Sequence, residues 1–262
     1  MRDTQYLMRD TKLLYAKRYP LYAILSEVNS MKVRLINYTK DPEKIVAQSA
    51  RLCYSALGIE ELREKLSDES IIKLVKKIMK LGHYSVLEHA TFTFAIEGIS
   101  RVTSHQLVRH RLASFSQQSQ RYVKMNKEGF PYIVPKSIAK DKKLAKIFVE
   151  AIKELDGIYQ LLIDRNIKAE DARYILPQAV TTKIIITANA RELLHIFKLR
   201  CCNRAQWEIR ELAIKMLKEV KGIAPIIFEN AGPPCVLGPC PEGELSCGRP
   251  WSKNKEEGVN EK

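Results

Sequence analysis

The sequence predicts a single folded domain of the α+β or α/β class. Two alternating stretches, "MKVRLINYT" from Met31 and "ATFTFAIEG" from Ala90, are typical of half-buried strands. A run rich in β-branched residues, "TTKIIITAN" at 181–189, predicts a further strand. Helical periodicity lies between these segments, and strands separated by helices favour one mixed domain.

Two helices are predicted in the first third of the chain. "DPEKIVAQSARLCYS" has Pro42 near its start, where a proline fits the first helical turn. "SDESIIKLVKKIMKLG" has a helical pattern that ends at Gly82, and glycine is typical of a helix C-cap. The apolar positions of this second helix predict one core-facing side, made of Ile71, Ile72, Val75, Ile78 and Met79.

The middle and the end of the chain continue this pattern. "SRVTSHQLVRHRLAS", residues 100–114, predicts a helix whose core-facing candidates are Val102, Leu107 and Val108, and the polar run after Ser114 predicts a loop. "RYVKM" and "YIVP" are predicted to be extended, and residues 137–165 to form one or two amphipathic helices. Two possible capping boxes, Asn189-Ala-Arg-Glu192 and Asn203-Arg-Ala-Gln206, predict the starts of two more helices.

The chain divides by composition into three parts. We expect residues 1–30 to be an N-terminal extension that is not native or is poorly ordered, residues 31–230 to form the domain, and residues 231–262 to form a tail that contains Pro, Gly and Cys. No apolar run approaches the roughly 20 residues of a membrane span. The short segment "YPLYAIL" does not resemble a signal peptide. The prediction is therefore a cytoplasmic protein that does not contact a membrane.

The charge predicts an anionic partner. With 44 Lys and Arg against 30 Asp and Glu in 262 residues, the formal charge is +14, and nucleic acid, a membrane surface or a phosphorylated small molecule would suit it. A nucleic-acid-binding module is the competing hypothesis. No RNP-type aromatic pair, zinc finger or helix-turn-helix pattern supports it. The phosphate-loop, dinucleotide and nucleophile-elbow motifs are absent as well.

One stretch is unusually rich in hydrogen-bond donors. "LVRHRLASFSQQSQRY", residues 107–122, combines Arg109, His110, Arg111 and Arg121 with hydroxyls and amides, and it contains no acid. Neighbouring helical residues are about 100° apart, so Arg109 and Arg111 point in different directions. Arginine forks bind phosphate in a bidentate manner. The stretch suits several phosphates, or one phosphate and one planar ring, although a solvated basic surface is the alternative.

Three other segments carry polar clusters. "GHYSVLEHATFTF" offers His83, Glu88 and His89 as metal ligands, but their spacing is not that of a known zinc motif. "ANARELLHIFKLR" places Arg191 and His195 on one helix face, followed by Arg200. The tail cysteines lack a CxxC pair. No metal site is predicted, and metal binding by the tail stays open; its candidate ligands are Cys235, Cys240 and Cys247.

Taken together, these blocks resemble one family, the flavin-dependent thymidylate synthases. The family pattern Arg-His-Arg-x-x-Ser-x-x-x-x-Ser-x-Arg stands here as "RHRLASFSQQSQR", residues 109–121. Its Gly-His-x-Ser/Thr-x-x-Glu-His block stands as "GHYSVLEH", and "NARELLHIFKLR" and "AQWEIR" match its second half. The resemblance covers about residues 31–230. It departs where many members carry Asn-Glu and this chain carries Ser116-Gln117, which removes an acid from the loop.

The resemblance implies a fold, a reaction and an assembly. The fold would be α+β with a central, mostly antiparallel sheet flanked by helices. The reaction would be the reductive methylation of dUMP to dTMP, with 5,10-methylenetetrahydrofolate as carbon donor, reduced FAD as hydride donor and NADPH as reductant. The assembly would be a homotetramer with shared active sites, whose partners are small molecules and not nucleic acid.

The resemblance also implies two sets of binding residues. The set for FAD is His83, Ser85, Glu88, Arg109, His110, Arg111, Gln117, Asn189, Ala190, Arg191 and His195. The set for dUMP is Gln106, Leu107, Val108, Arg109, Gln117, Gln118, Ser119, Gln120, Arg121, Arg173 and Arg200. Folate contacts are not assigned.

Arg200 is the predicted catalytic residue. Activating C5 of uracil requires negative charge on N3 or O4, and a fixed guanidinium stabilises charge where it develops. Arginine is not a base at ordinary pH, so this role is electrostatic. Ser119 is the rival candidate, as a covalent nucleophile, but its loop neighbours are amides and not a base. We therefore predict that Ser119 binds phosphate.

Overall fold

A four-stranded antiparallel sheet organises the chain. The computed structural model describes residues 31–64, 66–125 and 129–251. The strands are β1 (Lys32–Tyr38), β2 (Thr91–Ser100), β3 (Ala113–Gln117) and β4 (Thr181–Asn189), in the spatial order β1-β2-β4-β3. Alternation along β4 buries Thr182, Ile184, Ile186 and Ala188. The predicted α+β class and the three predicted strands are confirmed.

The helices occupy the segments between and after the strands. They are α1 (Pro42–Leu52), α2 (Ile59–Glu64), α3 (Asp68–Leu81), α4 (Arg101–Leu107), α5 (Lys136–Ala139), α6 (Lys142–Asp164), α7 (Ala169–Ala172), α8 (Ala190–Arg200) and α9 (Trp207–Lys221). Short 3-10 helices cover Tyr84–His89, Arg173–Ile175, Pro234–Val236 and Gly243–Leu245. Among these elements, none is a helix long and apolar enough to cross a membrane.

Local signals determine both ends of α3. The Ser67 side chain accepts a hydrogen bond from the backbone N–H of Ser70 at 3.3 Å, which caps the first turn. Gly82 follows the last turn with φ of 73°, the left-handed conformation that glycine adopts without a steric cost. Of the predicted core face, Ile71, Val75 and Ile78 are buried, but Ile72 is 41% exposed. Ile72 lies about 100° around the helix from the buried Ile71, which takes it off the core-facing side.

The prediction for residues 100–117 is wrong in two respects. The helix α4 ends at Leu107, so Arg109, His110 and Arg111 lie in a turn and not in a helix. Of the segment expected to be a loop after Ser114, residues 115–117 belong instead to β3, an edge strand beside β4, whereas residues 118–122 are in no strand, as expected. Its residues alternate between half-buried and exposed, which a short polar strand does without an apolar pattern. Leu107 is buried, but Val102 and Val108 are exposed.

Two smaller predictions also need correction. Asn203 does not cap α9, because the cap is Gln206, whose side chain accepts hydrogen bonds from the N–H groups of Glu208 and Ile209. "RYVKM" contains turns and no strand, and Val123 N–H donates to the carbonyl of Ser119 at 3.0 Å. The predicted helical region 137–165 is confirmed as the short α5 and the long α6.

The described residues form two compact units, and each has its own core. The first contains residues 31–32, 97–105 and 117–184, and Phe130, Ile152 and Val180 pack together in its core. The second contains residues 33–96, 106–116 and 185–251. In it, the ring of Phe228 meets Phe92 at 5.5 Å and Phe197 at 5.9 Å, edge to face. The predicted extension, residues 1–30, lies outside the described residues.

The tail is attached to the second unit by polar contacts. Asn203 Nδ2 donates to the carbonyl of Arg249 at 2.9 Å, and Arg204 Nη1 donates to the carbonyl of Leu245. A Cβ on Gly232, whose φ is 146°, would lie 2.6 Å from the ring of Trp251. The segment 231–251 therefore packs against the unit through specific contacts, although its secondary structure is limited to two 3-10 turns.

Two glycines provide a test of the α3 cap. A Gly82→Ala substitution should lower the free energy of unfolding by about 1 kcal/mol, because an L-residue is strained in the left-handed region. No heavy atom lies within 4 Å of a Cβ at this position, so the cost is conformational and not steric. Chemical denaturation measures it.

Gly157 is the matched control. It lies inside α6, and a Cβ there also meets nothing within 4 Å. Gly157→Ala should raise the free energy of unfolding by about 0.5–1 kcal/mol, because alanine favours a helix. Equal effects of the same sign in both variants would contradict the assignment of Gly82 as a cap.

Candidate functional site

The junction of β4 and α8 holds the first group of predicted site residues, in the second unit. The Asn189 side chain accepts the N–H of Glu192 at 2.9 Å and caps the helix. The N–H of Ala190, which is fully buried, donates to the carbonyl of Ala90 at 2.8 Å. The capping prediction for Asn189 is thus confirmed. The cap and the hydrogen bond to Ala90 together fix the start of α8, and with it the position of Arg191.

Arg191 and Glu88 form an ion pair. Arg191 Nη1 donates to Glu88 Oε1 at 2.5 Å, and about half of each side chain is exposed. Glu88 belongs to the 3-10 helix Tyr84–His89, and the exposed residues His83 and Ser85 lie at the start of that helix. Four of the residues predicted to bind FAD therefore meet or neighbour one another at the surface of this unit.

His110 lies between two residues of α8. It is only 4% exposed. Its Nε2 accepts a hydrogen bond from Arg200 Nε at 3.0 Å. On the other side of the ring, Nδ1 is 3.6 Å from Glu192 Oε1. The His195 ring meets the His110 ring edge to face at 5.9 Å. The turn after α4 thus inserts one imidazole against the inner face of α8.

These contacts determine the protonation of His110. An Nε2 that accepts a hydrogen bond has no proton, so the neutral ring must carry its proton on Nδ1, which faces Glu192. Burial, together with the charges of Arg200 and His195, lowers the pKa of His110 to about 4. The ring is therefore neutral at pH 7. In a protonated ring, the Nε2–H and the Arg200 Nε–H would face each other as two donors without an acceptor.

The charged neighbours of His110 are shifted by burial as well. Burial raises the pKa of the Glu192 carboxyl, and the charge of His195 opposes this shift. Burial, followed by repulsion from Arg109, lowers the pKa of Arg200. Arg109 and Arg200 are therefore close enough to repel each other, and this part of the unit has an excess of positive charge.

The remaining residues before β3 differ in accessibility. Gln106 is half-buried, Leu107 is 1% exposed, and Val108 is 38% exposed. Arg111 is exposed in the turn that leads to β3. The Leu107 side chain is part of the core, so any contact of this residue with a ligand has to use its backbone, whose carbonyl already accepts the N–H of His110.

The second group of predicted site residues lies in the first unit, where β3 ends. Gln117 Nε2 donates to Thr182 Oγ1 at 3.2 Å, and the N–H of Gln118 donates to the carbonyl of Lys183 at 2.9 Å. The hydroxyl of Ser119 accepts the N–H of Arg121 at 3.1 Å, which closes a tight turn. These bonds hold the loop of residues 117–121 against β4.

Arg121 and Arg173 meet at Glu170. Arg121 Nε donates to Glu170 Oε2 at 2.6 Å, and Arg173 Nε donates to the backbone carbonyl of Glu170 at 3.1 Å. The hydrogen bond and the charge of Arg121 lower the pKa of Glu170. The Arg121 guanidinium also lies 5.2 Å from the centre of the Tyr122 ring. The two predicted phosphate ligands are thus brought to one place, next to a carboxylate.

Sequence reasoning missed Arg101. Its Nε is buried without a hydrogen-bond partner in the described part of the chain. Burial, followed by repulsion from Arg173, lowers its pKa. Nothing in the sequence distinguishes Arg101 from the other basic residues, because its burial depends on tertiary packing. A half-buried guanidinium with an unpaired Nε, close enough to Arg173 for repulsion, is a candidate contact for an anion.

A cavity of about 420 Å³ in the first unit contains further unpredicted residues. Gln118, Ser119 and Gln120 line it, with Lys32, Lys124 and Lys183 around them. Glu97 Oε2 is 4.0 Å from Lys183 Nζ. Arg121 is not part of this lining, because its side chain pairs with Glu170. The predicted phosphate-binding loop therefore has a basic cavity at Ser119 and the arginine pair at Glu170.

The structure shows no metal centre in the ranges it describes. No three His, Cys, Asp or Glu side chains gather there in a way that would hold an ion. All six cysteines are free thiols, and burial raises the pKa of the Cys201 thiol above its ordinary value. Cys235 Sγ accepts the N–H of Trp251 at 3.4 Å.

Comparison with known sequences shows which family this chain belongs to. Residues 34–226 match the family described as thymidylate synthase complementing protein. A flavin-dependent thymidylate synthase of Geobacter sulfurreducens is 58% identical over 84% of this chain and 94% of its own length. The enzyme of the same name from Clostridium tetani is 50% identical over 84% of this chain and 94% of its own length. The one from Pyrococcus horikoshii is 51% identical over 82% of this chain and 91% of its own length.

The chain therefore belongs to the flavin-dependent thymidylate synthases, a family of methyltransferases. The family resemblance of the sequence motifs is confirmed. A solved structure, a UMP/dUMP methylase from Streptomyces cacaoi with bound 5-Br dUMP, superposes with a TM-score of 0.68 over 77% of this chain and 94% of its own. At 23% identity, it supports the fold.

The buried His110 predicts a pH-dependent stability. Between pH 6.5 and about 4 the unfolded chain binds a proton at this residue that the folded chain does not bind. The free energy of unfolding should therefore fall as the pH drops through this window. One pKa unit corresponds to about 1.4 kcal/mol, so the full loss is on the order of 3 kcal/mol. Urea denaturation from pH 7 to 4 measures it.

A His110→Gln variant separates this effect from that of Glu192. The raised pKa of Glu192 acts with the opposite sign, because the folded state then holds a proton that the unfolded state has lost. The difference between the two proteins should therefore diminish as the pH falls. An identical pH dependence in both would contradict the low pKa of His110.

Proposed function

We propose that this enzyme converts dUMP to dTMP with 5,10-methylenetetrahydrofolate as carbon donor, reduced FAD as hydride donor and NADPH as reductant. The proposal includes a cytoplasmic homotetramer with shared active sites. Its main support in the geometry is the fixed guanidinium of Arg200, held through Nε by a buried, neutral histidine. The family membership and the dUMP analogue bound by the structural relative agree with it.

The donor set of the second unit fits an anionic dinucleotide. Arg109, Arg111 and His83 are exposed, and Arg191 is half exposed in its pair with Glu88. Such donors bind phosphates and flavin ring atoms. We assign the predicted FAD residues of this unit, including Asn189, to that role. When bound, the flavin supplies the hydride, and the chain's residues hold and orient it.

The donor set of the first unit fits the phosphate of dUMP. Arg121 and Arg173 meet at Glu170, and Ser119 and Gln120 lie in the turn before them. We add Arg101 to this set because its buried Nε has no partner among the described residues. A phosphate dianion would replace Glu170 at Arg121, because an exposed ion pair contributes at most about 1 kcal/mol.

Arg200 would act on the uracil ring. The hydrogen bond to His110 uses Nε, and a guanidinium has four further N–H donors at its Nη atoms. These donors would meet O4 and N3 as negative charge develops there, which promotes attack by C5. Partial burial of Arg200 strengthens its field, because charges interact more strongly where less water screens them.

Flavin content and turnover test this function. The purified protein should show the absorbance of an oxidised flavin and form dTMP from dUMP, methylenetetrahydrofolate and NADPH. Arg200→Ala should retain the flavin and lower kcat about 100- to 1000-fold, because one preorganised donor to the developing charge is lost.

Lys198→Ala is the matched control for Arg200→Ala. Lys198 is an exposed cation in the last turn of the same helix. Its removal should leave kcat unchanged. A protein that takes up no FAD would refute the proposed function, and near-normal turnover of Arg200→Ala would refute the role of Arg200.

The phosphate assignment has its own test. Arg121→Gln should weaken dUMP binding about 10- to 100-fold, because a charged hydrogen bond is worth about 1.5–3 kcal/mol. Deoxyuridine, which lacks the phosphate, should bind the variant and the parent protein equally. Titration of each ligand against the FAD-loaded protein measures both affinities.

Arg165→Gln is the control for the loss of charge. Arg165 is an exposed arginine of the same unit, at the end of α6. It should not change dUMP affinity. If Arg121→Gln weakened dUMP and deoxyuridine by the same factor, Arg121 would not be the phosphate ligand.

A further inference from the structure

Glu192 has no role in the predicted site, yet it is one of the few buried acidic residues in the part of the chain that the structure describes. The sequence places it only in the capping box after Asn189. Its backbone N–H does take part in the cap. Its side chain, however, is 5% exposed and lies 3.6 Å from His110 Nδ1. Burying a carboxylate is costly, so its location beside the His110 imidazole requires a reason.

The hydrogen-bond directions provide that reason. Arg200 Nε is always a donor, so His110 Nε2 must accept. A neutral imidazole has only one N–H, which must then be on Nδ1, facing the Glu192 carboxylate. At 3.6 Å the contact is longer than a hydrogen bond, so it acts electrostatically on the Nδ1–H. A carboxylic acid at this place would still present a carbonyl oxygen to it.

We propose that Glu192 is a positioning residue, which fixes the Nδ1–H tautomer of His110 and thereby holds the Arg200 guanidinium in its working orientation. The order is Glu192, His110, Arg200, and of these three only Arg200 meets dUMP. With the proton on Nε2 instead, two N–H groups would face each other 3.0 Å apart, and Arg200 would rotate away. This inference rests on the proposed function for its catalytic consequence, but the tautomer is a property of the chain itself.

The tautomer is measured directly by ¹⁵N-resolved NMR of the histidine side chains. The protein contains five histidines, and a His110→Gln spectrum assigns the resonances of His110. In the parent protein at pH 7, Nδ1 should carry the proton and Nε2 should not. Glu192→Ala should shift the proton population toward Nε2. Glu192→Gln should preserve the parent tautomer, because its amide oxygen still accepts.

Turnover of the FAD-loaded variants gives the second measurement. Glu192→Ala should lower kcat about 10- to 100-fold, since a small displacement of a catalytic group has this effect. The KM for dUMP and the flavin content should change little. Glu192→Gln should recover most of the lost kcat. Asp156→Asn, which changes a buried carboxylate of α6 in the other unit, should alter neither the tautomer nor kcat.

The outcomes distinguish this inference from the proposed function. A parent protein with the His110 proton on Nε2, or a Glu192→Ala variant with an unchanged tautomer, overturns the inference even if dTMP forms. A shifted tautomer with unchanged kcat overturns the catalytic consequence. A parent protein that forms no dTMP overturns the proposed function, and the NMR result still decides the tautomer. If Glu192→Ala does not fold, Glu192→Met, which has a similar volume and no carboxyl oxygen, takes its place in both measurements.

Discussion

The hydrogen bond from Arg200 Nε to His110 Nε2 constrains every group around it. It requires an acceptor nitrogen, so the ring must be neutral, and it must carry its only proton on the opposite side. That Nδ1–H is buried and faces the Glu192 carboxyl group at 3.6 Å, which stabilises it electrostatically. Burial of the ring keeps it neutral. One geometric requirement thus accounts for a buried histidine, a buried glutamate and an oriented arginine.

The same unit has positive charge that its own acids do not balance. Arg109 and Arg200 repel each other, and the Glu192 carboxylate contacts the opposite nitrogen of the His110 ring from the one that Arg200 contacts. In the first unit, Arg101 and Arg173 repel each other in the same way. Such arrangements cost stability in the free protein, and anionic ligands relieve the cost. Part of the excess of basic residues is therefore partly buried, at Arg101, Arg173 and Arg200.

Local patterns were sufficient to predict much of the fold. Gly82, Asn189 and the strand at 181–189 are specified by neighbours within a few residues, and all three predictions are confirmed. The turn at Arg109 and the strand after it were missed, because β3 is short, polar and stabilised by pairing with β4, which is distant in the sequence. Arg101 and Glu192 were missed for a related reason. Their importance comes from burial, which only tertiary packing creates.

Two ion pairs, one in each unit, involve predicted ligand residues and share one physical feature. Glu88 pairs with Arg191, and Glu170 pairs with Arg121, and all four side chains are substantially exposed. In each pair the arginine is a predicted ligand of a phosphorylated molecule. Exposed pairs are weak because water screens them, so they hold the guanidinium in place without preventing a dianion from replacing the carboxylate. Glu192 differs from both acids because it is buried and faces a neutral ring. Its task is to keep a hydrogen-bond direction fixed, and a group with that task has to remain in place while ligands come and go.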